Sequence, residues 1–171
     1  MQKVSIANID LFLFNLINGY AKKSRLLDFF AVFCASYLGF FLFGFLVLYA
    51  FFTEHWEIFW VPFASALFAR FFINQLIYLF YKRKRPLEVL HINSLVRKPR
   101  HPSFPSGHTA FFFGLSFAIF PYSLSVAILF SILSFMVGFF RIFSGVHWPS
   151  DILGGIAVGY ISFLVVYLIF F

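Results

Sequence analysis

From Gly107 to Phe140 the chain reads GHTAFFFGLSFAIFPYSLSVAILFSILSFMVGFF, an apolar stretch without a single Asp, Glu, Lys or Arg. A helix needs about 20 apolar residues to cross a bilayer, so this stretch is too long for one crossing. Pro121, followed by Tyr122 and Ser123, is the natural place for a turn. The pattern predicts two membrane helices, a short one over 107–120 and a second one over 124–141.

The composition of the whole chain points to the same environment. Of the 171 residues, 62% are hydrophobic, 25% are aromatic and only 11% are charged. This leaves too little polar surface for a soluble domain, and in lipid a backbone must satisfy its own hydrogen bonds, as helices do. We expect a single integral membrane domain over residues 1–171, whose helices pack against one another and against lipid.

Other apolar segments extend this prediction to the rest of the chain. The segment over 4–20 mixes apolar residues with Asn8 and Asp10, which is typical of a helix that lies in the membrane interface. The remaining predicted spans are 27–52, 56–81 and 151–171. The predicted fold is therefore all-α, a polytopic membrane helix bundle of five transmembrane helices plus an N-terminal interfacial helix.

Two loops of this bundle are expected at the same membrane face. Repeated prolines exclude a continuous helix over 82–105, and Gly145 and Pro149 break the helix over 144–150. Tracing the crossings places both loops and the interfacial helix on one side. A loop as long as 82–105 is uncommon unless it binds something, so this face is the candidate active face.

His147 and Asp151 form the first candidate pair at this face. Their spacing of four residues is that of neighbours on one side of a helix. Asp151 can accept a hydrogen bond from one ring nitrogen of His147, which makes the other nitrogen a nucleophile toward phosphorus. His147 would then form a transient phosphohistidine. The alternative is that Ser150 and Asp151 only cap the last helix.

The beginning of the third span is a candidate anion site. Ser106, Gly107 and His108 lie where unpaired backbone N–H groups and the helix dipole attract negative charge. Gly107 lets a phosphate approach the backbone closely, and His108 is the candidate general acid for the leaving oxygen. The alternative is ordinary helix initiation with Ser106 as the cap.

Two arginines are candidates for binding phosphate, and a third lies within a predicted span. Arg141, at the end of the fourth span, can clamp two phosphoryl oxygens or simply extend its charge to the interface. Arg85, before Pro86, is either a fixed cation of the site or part of a solvated basic cluster. Arg70 lies in mid-span without an acidic partner in the sequence, and we expect it to face the bundle interior in a structural role.

These segments together resemble the type 2 phosphatidic acid phosphatase (PAP2) superfamily. Arg85-Pro86 is similar to its first motif, Pro105-Ser106-Gly107-His108 to its second, and Arg141, His147 and Asp151 to its third. The resemblance implies a membrane lipid phosphatase in which His147 attacks phosphorus, Asp151 supports it and His108 protonates the leaving group. It also implies that Arg85, Ser106, Gly107 and Arg141 bind phosphate, and that no metal or cofactor is used.

Two positions differ from the family pattern. Tyr78 stands where the first motif usually has a lysine, and Phe140 replaces the serine before Arg141. Lys82 or Lys84 is a candidate to supply the missing charge, and Lys82 is included here among the phosphate-binding residues as the weaker assignment.

The basic loop indicates what the lipid substrate carries. Basic residues crowd 82–101 while Glu88 is its only acid, which favours a diphosphate or phosphorylated headgroup, although an anchor to acidic lipids is an equal alternative. We expect the bilayer and a lipid with a phosphate or diphosphate headgroup as partners, and no nucleic acid or obligate protein partner. The resemblance favours undecaprenyl diphosphate, with lipid A 1-phosphate and phosphatidylglycerophosphate as alternatives.

Membrane orientation and one other function class stay open at this point. Every Lys and Arg except Arg70 lies on or near the active face, which by charge alone would place that face in the cytoplasm. The resemblance instead implies a multi-pass protein of the inner (cytoplasmic) membrane whose active site lies at the periplasmic, outer leaflet. A small membrane transporter is the alternative of another class, although the broken, inverted repeats typical of transporters are not evident.

Overall fold

The computed structural model describes residues 6–170, and every regular element within them is helical. The elements are α1 (Ile6–Asn18), α2 (Arg25–Ser36), α3 (Leu38–Thr53), α4 (Glu57–Leu67), a π-helical segment (Phe68–Ile73), α5 (Asn74–Phe80), α6 (Pro86–Val89), α7 (Gly107–Ile119), α8 (Leu124–Phe143) and α9 (Pro149–Phe170). The all-helical prediction is confirmed. Residues 4–5 of the predicted interfacial helix and residue 171 of the last predicted span lie outside the described residues.

Three helical stretches are long and apolar enough to cross a membrane. They are Glu57–Phe80, Leu124–Phe143 and Pro149–Phe170, and the bent pair α2 and α3 is a fourth candidate. The helix α7 is apolar but shorter. The chain is therefore a helical membrane protein with three or four candidate spans among the described residues, and the count of five stays a prediction.

The span predicted over 27–52 consists of two helices. α2 and α3 meet at an angle of 49°, and Tyr37 between them has φ −115° and ψ −31°, with φ well away from the usual helical value near −63°. No proline marks this break, so the apolar pattern alone could not distinguish it from a continuous helix. Residues on both sides of the bend line an apolar groove that is described below.

The second predicted span contains a wider turn that the sequence did not indicate. α4, the π-helical segment and α5 follow one another without a gap from Glu57 to Phe80. A π-helical turn holds one more residue than an α-helical turn and rotates the side chains on its two sides relative to each other. This segment carries Arg70.

The turn predicted at residues 121–123 is confirmed, since α7 ends at Ile119 and α8 begins at Leu124. The hydroxyl of Ser123 caps α8 by accepting a hydrogen bond from the backbone N–H of Val126. Away from the active face, Leu46, Leu115, Ile119 and Phe130 form the largest apolar cluster of the bundle. This packing joins α3, α7 and α8.

The close contact between α7 and α9 positions the second and third motifs. A Cβ atom at Gly155 would lie 2.7 Å from Cβ of Thr109 and 2.9 Å from the carbonyl oxygen of Ser106, so only glycine permits this approach. At the same end, the backbone N–H of Ser106 donates to the carbonyl of Asp151 at 2.9 Å. The beginnings of the two helices are therefore joined directly.

The loop predicted over 82–105 is folded against the loop over 144–148. It contains the short helix α6, and Glu88 accepts a hydrogen bond from the backbone N–H of Arg85 at 2.8 Å. The backbone N–H of Leu95 donates to Ser144 at 3.1 Å, and the indole of Trp148 donates to the carbonyl of Lys84 at 3.0 Å. These contacts hold both predicted active-face loops together.

Candidate active site

Five of the predicted site residues line one small cavity of about 60 Å³ beside the loops over 82–105 and 144–148. They are Arg85, Gly107, His108, Arg141 and His147. They come from three parts of the chain that are far apart in sequence, near residue 85, at 107–108 and over 141–147. Asp151 lies behind His147, and Ser106 is buried at the beginning of α7. Lys82 is exposed and is not among the residues lining this cavity.

His147 is held between a carboxylate and a guanidinium. Its Nδ1 lies 3.3 Å from Oδ2 of Asp151, and its Nε2 lies 3.1 Å from Nη1 of Arg85. If Nδ1 carries the proton, it donates to Asp151, and the lone pair of Nε2 faces the cavity side where Arg85 lies. Burial, assisted by the positive charges of Arg85 and Arg141, lowers the pKa of His147 to about 4 despite the opposing hydrogen bond to Asp151. The imidazole is therefore neutral near pH 7.

Asp151 makes more contacts than the predicted one to His147. Its Oδ2 accepts hydrogen bonds from the hydroxyl of Ser103 at 2.5 Å and from the backbone N–H of Trp148 at 2.8 Å. Its Oδ1 accepts from Nη1 of Arg83 at 2.8 Å. The bond to Trp148 supports the beginning of α9, so the capping interpretation and the contact with His147 are both present.

Arg85 connects the two loops from a fully enclosed position, with only 2% of its surface exposed. Besides His147, its guanidinium donates to the carbonyl oxygens of Val146 at 2.7 Å, Pro102 at 2.9 Å and His101 at 3.0 Å. These bonds fix its orientation, so the alternative of a solvated basic cluster does not apply to Arg85. A fixed cation beside the imidazole favours an anion in the cavity.

Arg141 is also buried instead of extending to the interface. It is 4% exposed, and its Nη1 donates to the carbonyl of Ala35 at 3.1 Å, which leaves Nε without a partner among the described residues. The guanidinium lines the cavity and retains hydrogen-bonding capacity toward a ligand.

The backbone N–H of Ser106 is not free to bind an anion. Its backbone N–H is bonded to Asp151, and its hydroxyl accepts a hydrogen bond from Thr109 at 3.0 Å. Gly107 and His108 begin α7 and line the cavity. The helix N-terminus therefore faces the cavity mainly through these two residues.

Sequence reasoning missed a buried network behind Asp151. Arg83 binds both Asp151 and Asp10 of α1, the latter through Nη2 at 2.5 Å. Asp10 also accepts hydrogen bonds from the backbone N–H of Ser150 at 2.9 Å and from its hydroxyl at 2.5 Å. The only signal in the sequence was an acid within an apolar helix, because Arg83 looks like any other member of the basic loop.

Tyr78, at the position of the expected lysine, has a structural contact. Its hydroxyl donates to the carbonyl of Pro105 at 2.8 Å, and its ring stacks on His101 with centroids 5.7 Å apart. These contacts hold the segment before α7 against the end of α5. They supply no positive charge.

The comparison with protein families agrees with this arrangement. The sequence profile of the PAP2 superfamily matches residues 59–171, which contain all three motifs. The chain belongs to the PAP2 superfamily. The enzyme class expected from the sequence, a phosphatase acting on membrane lipids, is confirmed at the level of this family.

Curated PAP2 relatives and solved structures extend the similarity. The chain is 29% identical over 166 residues, 96% of its length and 82% of the relative's, to the bacitracin transport permease protein BcrC of Bacillus licheniformis. It is 34% identical over 89 residues, 52% of its length and 46% of the relative's, to the undecaprenyl-diphosphatase BcrC of Bacillus subtilis (strain 168).

Two crystal structures have a similar fold. Aquifex aeolicus LpxE superposes with a TM-score of 0.72 at 27% identity, over 98% of both chains. A PAP2-type phosphatidylglycerolphosphate phosphatase from Bacillus subtilis superposes with a TM-score of 0.71 at 19% identity, over 98% of this chain and 87% of that one. The second likeness concerns the fold alone.

Two larger spaces of this PAP2 protein meet at His108. One, of about 550 Å³, is lined by His108, Arg141 and the basic residues of the long loop, Arg97, Lys98 and Arg100. The other, of about 340 Å³, is an apolar groove between α2, α3, α4, α7 and α8. It is lined by His108 together with Cys34, Ala35, Ser36, Gly39, Phe40, Phe43, Phe63, Phe111, Phe112 and Val137.

Proposed function

We propose that this PAP2 phosphatase hydrolyses undecaprenyl diphosphate to undecaprenyl phosphate and inorganic phosphate. The observation that carries the proposal is the position of His108, which borders the small cationic cavity, the basic space and the apolar groove. A lipid with a multiply charged headgroup needs these environments side by side, because its chain requires apolar contacts and its phosphates require cations. The match to an undecaprenyl-diphosphatase supports this choice of substrate.

In the proposed first step, Nε2 of His147 attacks the terminal phosphorus. The bond between that phosphorus and the bridging oxygen breaks, and the oxygen leaves on undecaprenyl phosphate with a proton from His108. Asp151, at 3.3 Å from Nδ1, stabilises the positive charge that the imidazole gains when it is phosphorylated.

In the second step, water attacks the phosphohistidine. His108 accepts the proton of this water, the P–N bond breaks, and inorganic phosphate leaves. Arg85 and Arg141 bind the phosphoryl oxygens in both steps, and the N-terminus of α7 at Gly107 contributes backbone N–H groups. The bond between Arg85 and Nε2 of His147 exchanges for one to phosphate when the substrate binds.

The proposed topology has five crossings, formed by the α2 and α3 pair, Glu57–Phe80, α7, α8 and α9, with α1 in the interface. The chain acts as one domain in the inner membrane, and its active face lies at the periplasmic leaflet. The positive-inside rule would place this basic face in the cytoplasm. Its basic residues bind the anionic headgroup, and this role accounts for their presence on the periplasmic side.

Three other substrates or functions have specific support. The likeness to LpxE, at 27% identity, favours a lipid A 1-phosphatase, and the fold of the phosphatidylglycerolphosphate phosphatase adds a third lipid. The name of the Bacillus licheniformis relative favours transport. A transporter needs no nucleophile, so turnover separates that function from the others.

The test is phosphate release by detergent-purified protein in EDTA, with undecaprenyl diphosphate, lipid A and phosphatidylglycerophosphate in parallel. We expect the highest kcat/KM on undecaprenyl diphosphate, inhibition by vanadate, and loss of turnover in His147→Ala. His55→Ala is the matched control, because His55 is exposed and pairs with Glu57 at the other end of the bundle. A preference for another lipid would overturn the substrate, and no vanadate-sensitive release from any of them would overturn the mechanism.

A further inference from the structure

Three guanidinium groups line the small cavity, and only two of them belong to the family motifs. The third is Arg70, which joins Arg85 and Arg141. None of the described residues that line this cavity is acidic, and Asp151 is already paired with Arg83. The cavity therefore has an excess of positive charge that only an anionic ligand can neutralise.

Asn74, one turn after Arg70, is a buried polar side chain without partners. It is 0% exposed, and neither Oδ1 nor Nδ2 has a hydrogen-bond partner among residues 6–170. An unpaired buried amide costs about 1–3 kcal/mol, and both of its polar atoms are available to pair with a group from outside the chain. Arg70 likewise makes no hydrogen bond or ion pair within the described part of the chain, where its closest ring contact is Phe71.

Both side chains point to the same place at the beginning of α7. The Cβ position at Gly107 would lie 3.4 Å from Nη1 of Arg70, 3.4 Å from Nδ2 of Asn74 and 3.4 Å from Oη of Tyr78. The side of Gly107 where a side chain would project is thus lined by a cation, an amide and a hydroxyl. The π-helical segment contributes to this arrangement, because it sets the rotation of Arg70 relative to Asn74 and Tyr78.

We infer that Arg70 and Asn74 bind the phosphoryl group in place of the lysine that is absent at position 78. Arg70 supplies the missing positive charge from two turns earlier in the same helix, and the Nδ2 group of Asn74 donates to a phosphoryl oxygen in front of Gly107. This assignment replaces both Lys82, which is exposed, and the structural role expected for Arg70. It rests on the proposed phosphatase site, and it holds for whichever lipid carries the phosphate.

The test combines vanadate binding with turnover in four variants. We expect Arg70→Met and Asn74→Leu each to lower kcat/KM and vanadate affinity about 100-fold, the cost of removing one donor to a developing oxyanion. Arg25→Met is the matched control, because Arg25 is an exposed residue at the start of α2. The melting temperature in detergent identifies any variant that has lost its fold.

The deciding variant is the double substitution Arg70→Met with Tyr78→Lys. A lysine at 78 would bring an ammonium group close to Gly107, where Oη of Tyr78 lies, so we expect the double variant to bind vanadate at least tenfold more tightly than Arg70→Met. If the wild type binds vanadate and a folded Arg70→Met protein binds it equally well, this inference is wrong. The same holds if the double variant folds and restores nothing. If the wild type itself binds no vanadate, the proposed function fails instead.

Discussion

Arg83 lies 2.8 Å from Asp151 and holds the carboxylate that faces His147. Through its other terminal nitrogen it also binds Asp10 of α1, at 2.5 Å. Arg83 thereby joins α1 to the third motif, in addition to the two hydrogen bonds that Ser150 donates to Asp10. α1 is therefore part of the support of the candidate active site.

We expect Arg83→Met to lower both stability and turnover. Asp10 and Asp151, 3% and 0% exposed, would be left as buried carboxylates without their cation, at a cost of about 3 kcal/mol. The measurements are the melting temperature in detergent and kcat. Lys82→Met is the matched control, because Lys82 is adjacent and exposed. Equal melting temperatures for the two variants would contradict a supporting role for Arg83.

Removing the hydroxyl of Ser103 should affect kcat more than stability. Ser103 donates at 2.5 Å to the oxygen of Asp151 that faces His147, so Ser103→Ala changes the charge and position of that oxygen. We expect a decrease of about tenfold in kcat with KM unchanged, and recovery in Ser103→Thr. A change in KM alone would mean that Ser103 acts on binding.

The pH dependence of His147 follows from its burial. Burial lowers its pKa to about 4, below the ordinary value near 6.5, so the neutral imidazole predominates at all pH values above about 4. As the pH falls from 7 to 5, the proposed nucleophile should stay unprotonated. Titration of the ring nitrogen shifts by NMR checks this, with the signal of His147 assigned by comparison with His147→Gln. A midpoint at or above 6.5 would contradict it.

The proposed role of His108 depends on the leaving group. A general acid matters most when the departing oxygen is basic. We therefore expect His108→Ala to lower kcat about 100-fold or more on a lipid phosphate monoester, whose leaving group is an alcohol. With p-nitrophenyl phosphate, whose leaving group needs no proton, we expect a much smaller loss in the first step. Burst kinetics separate this step from the hydrolysis of the phosphohistidine. Equal losses of the burst rate on both substrates would assign His108 to binding only.

Local patterns predicted much of this site. The interval of four residues placed His147 beside Asp151, and helix starts and ends placed Gly107, His108 and Arg141 at one membrane face. Short separations and the length of an apolar run can both be read along the chain, but His147 lies before α9, so its contact with Asp151 comes from the turn into that helix and not from helical spacing. The break at Tyr37 escaped this reasoning because no proline accompanies it, and small residues such as the nearby Ala35, Ser36 and Gly39 are also common in continuous membrane helices.

The sequence by itself determined the helical class, the membrane environment and the identity of the motif residues, since apolar length and local spacing are properties of short segments. Only the tertiary structure decided which cations face the cavity. Arg83 binds Asp10 and Asp151 from far along the chain, Lys82 is exposed, and Arg70 reaches Gly107 through a π-helical turn. Basic residues are alike in sequence, and their roles differ because helix packing and burial select which charges must find an anionic partner.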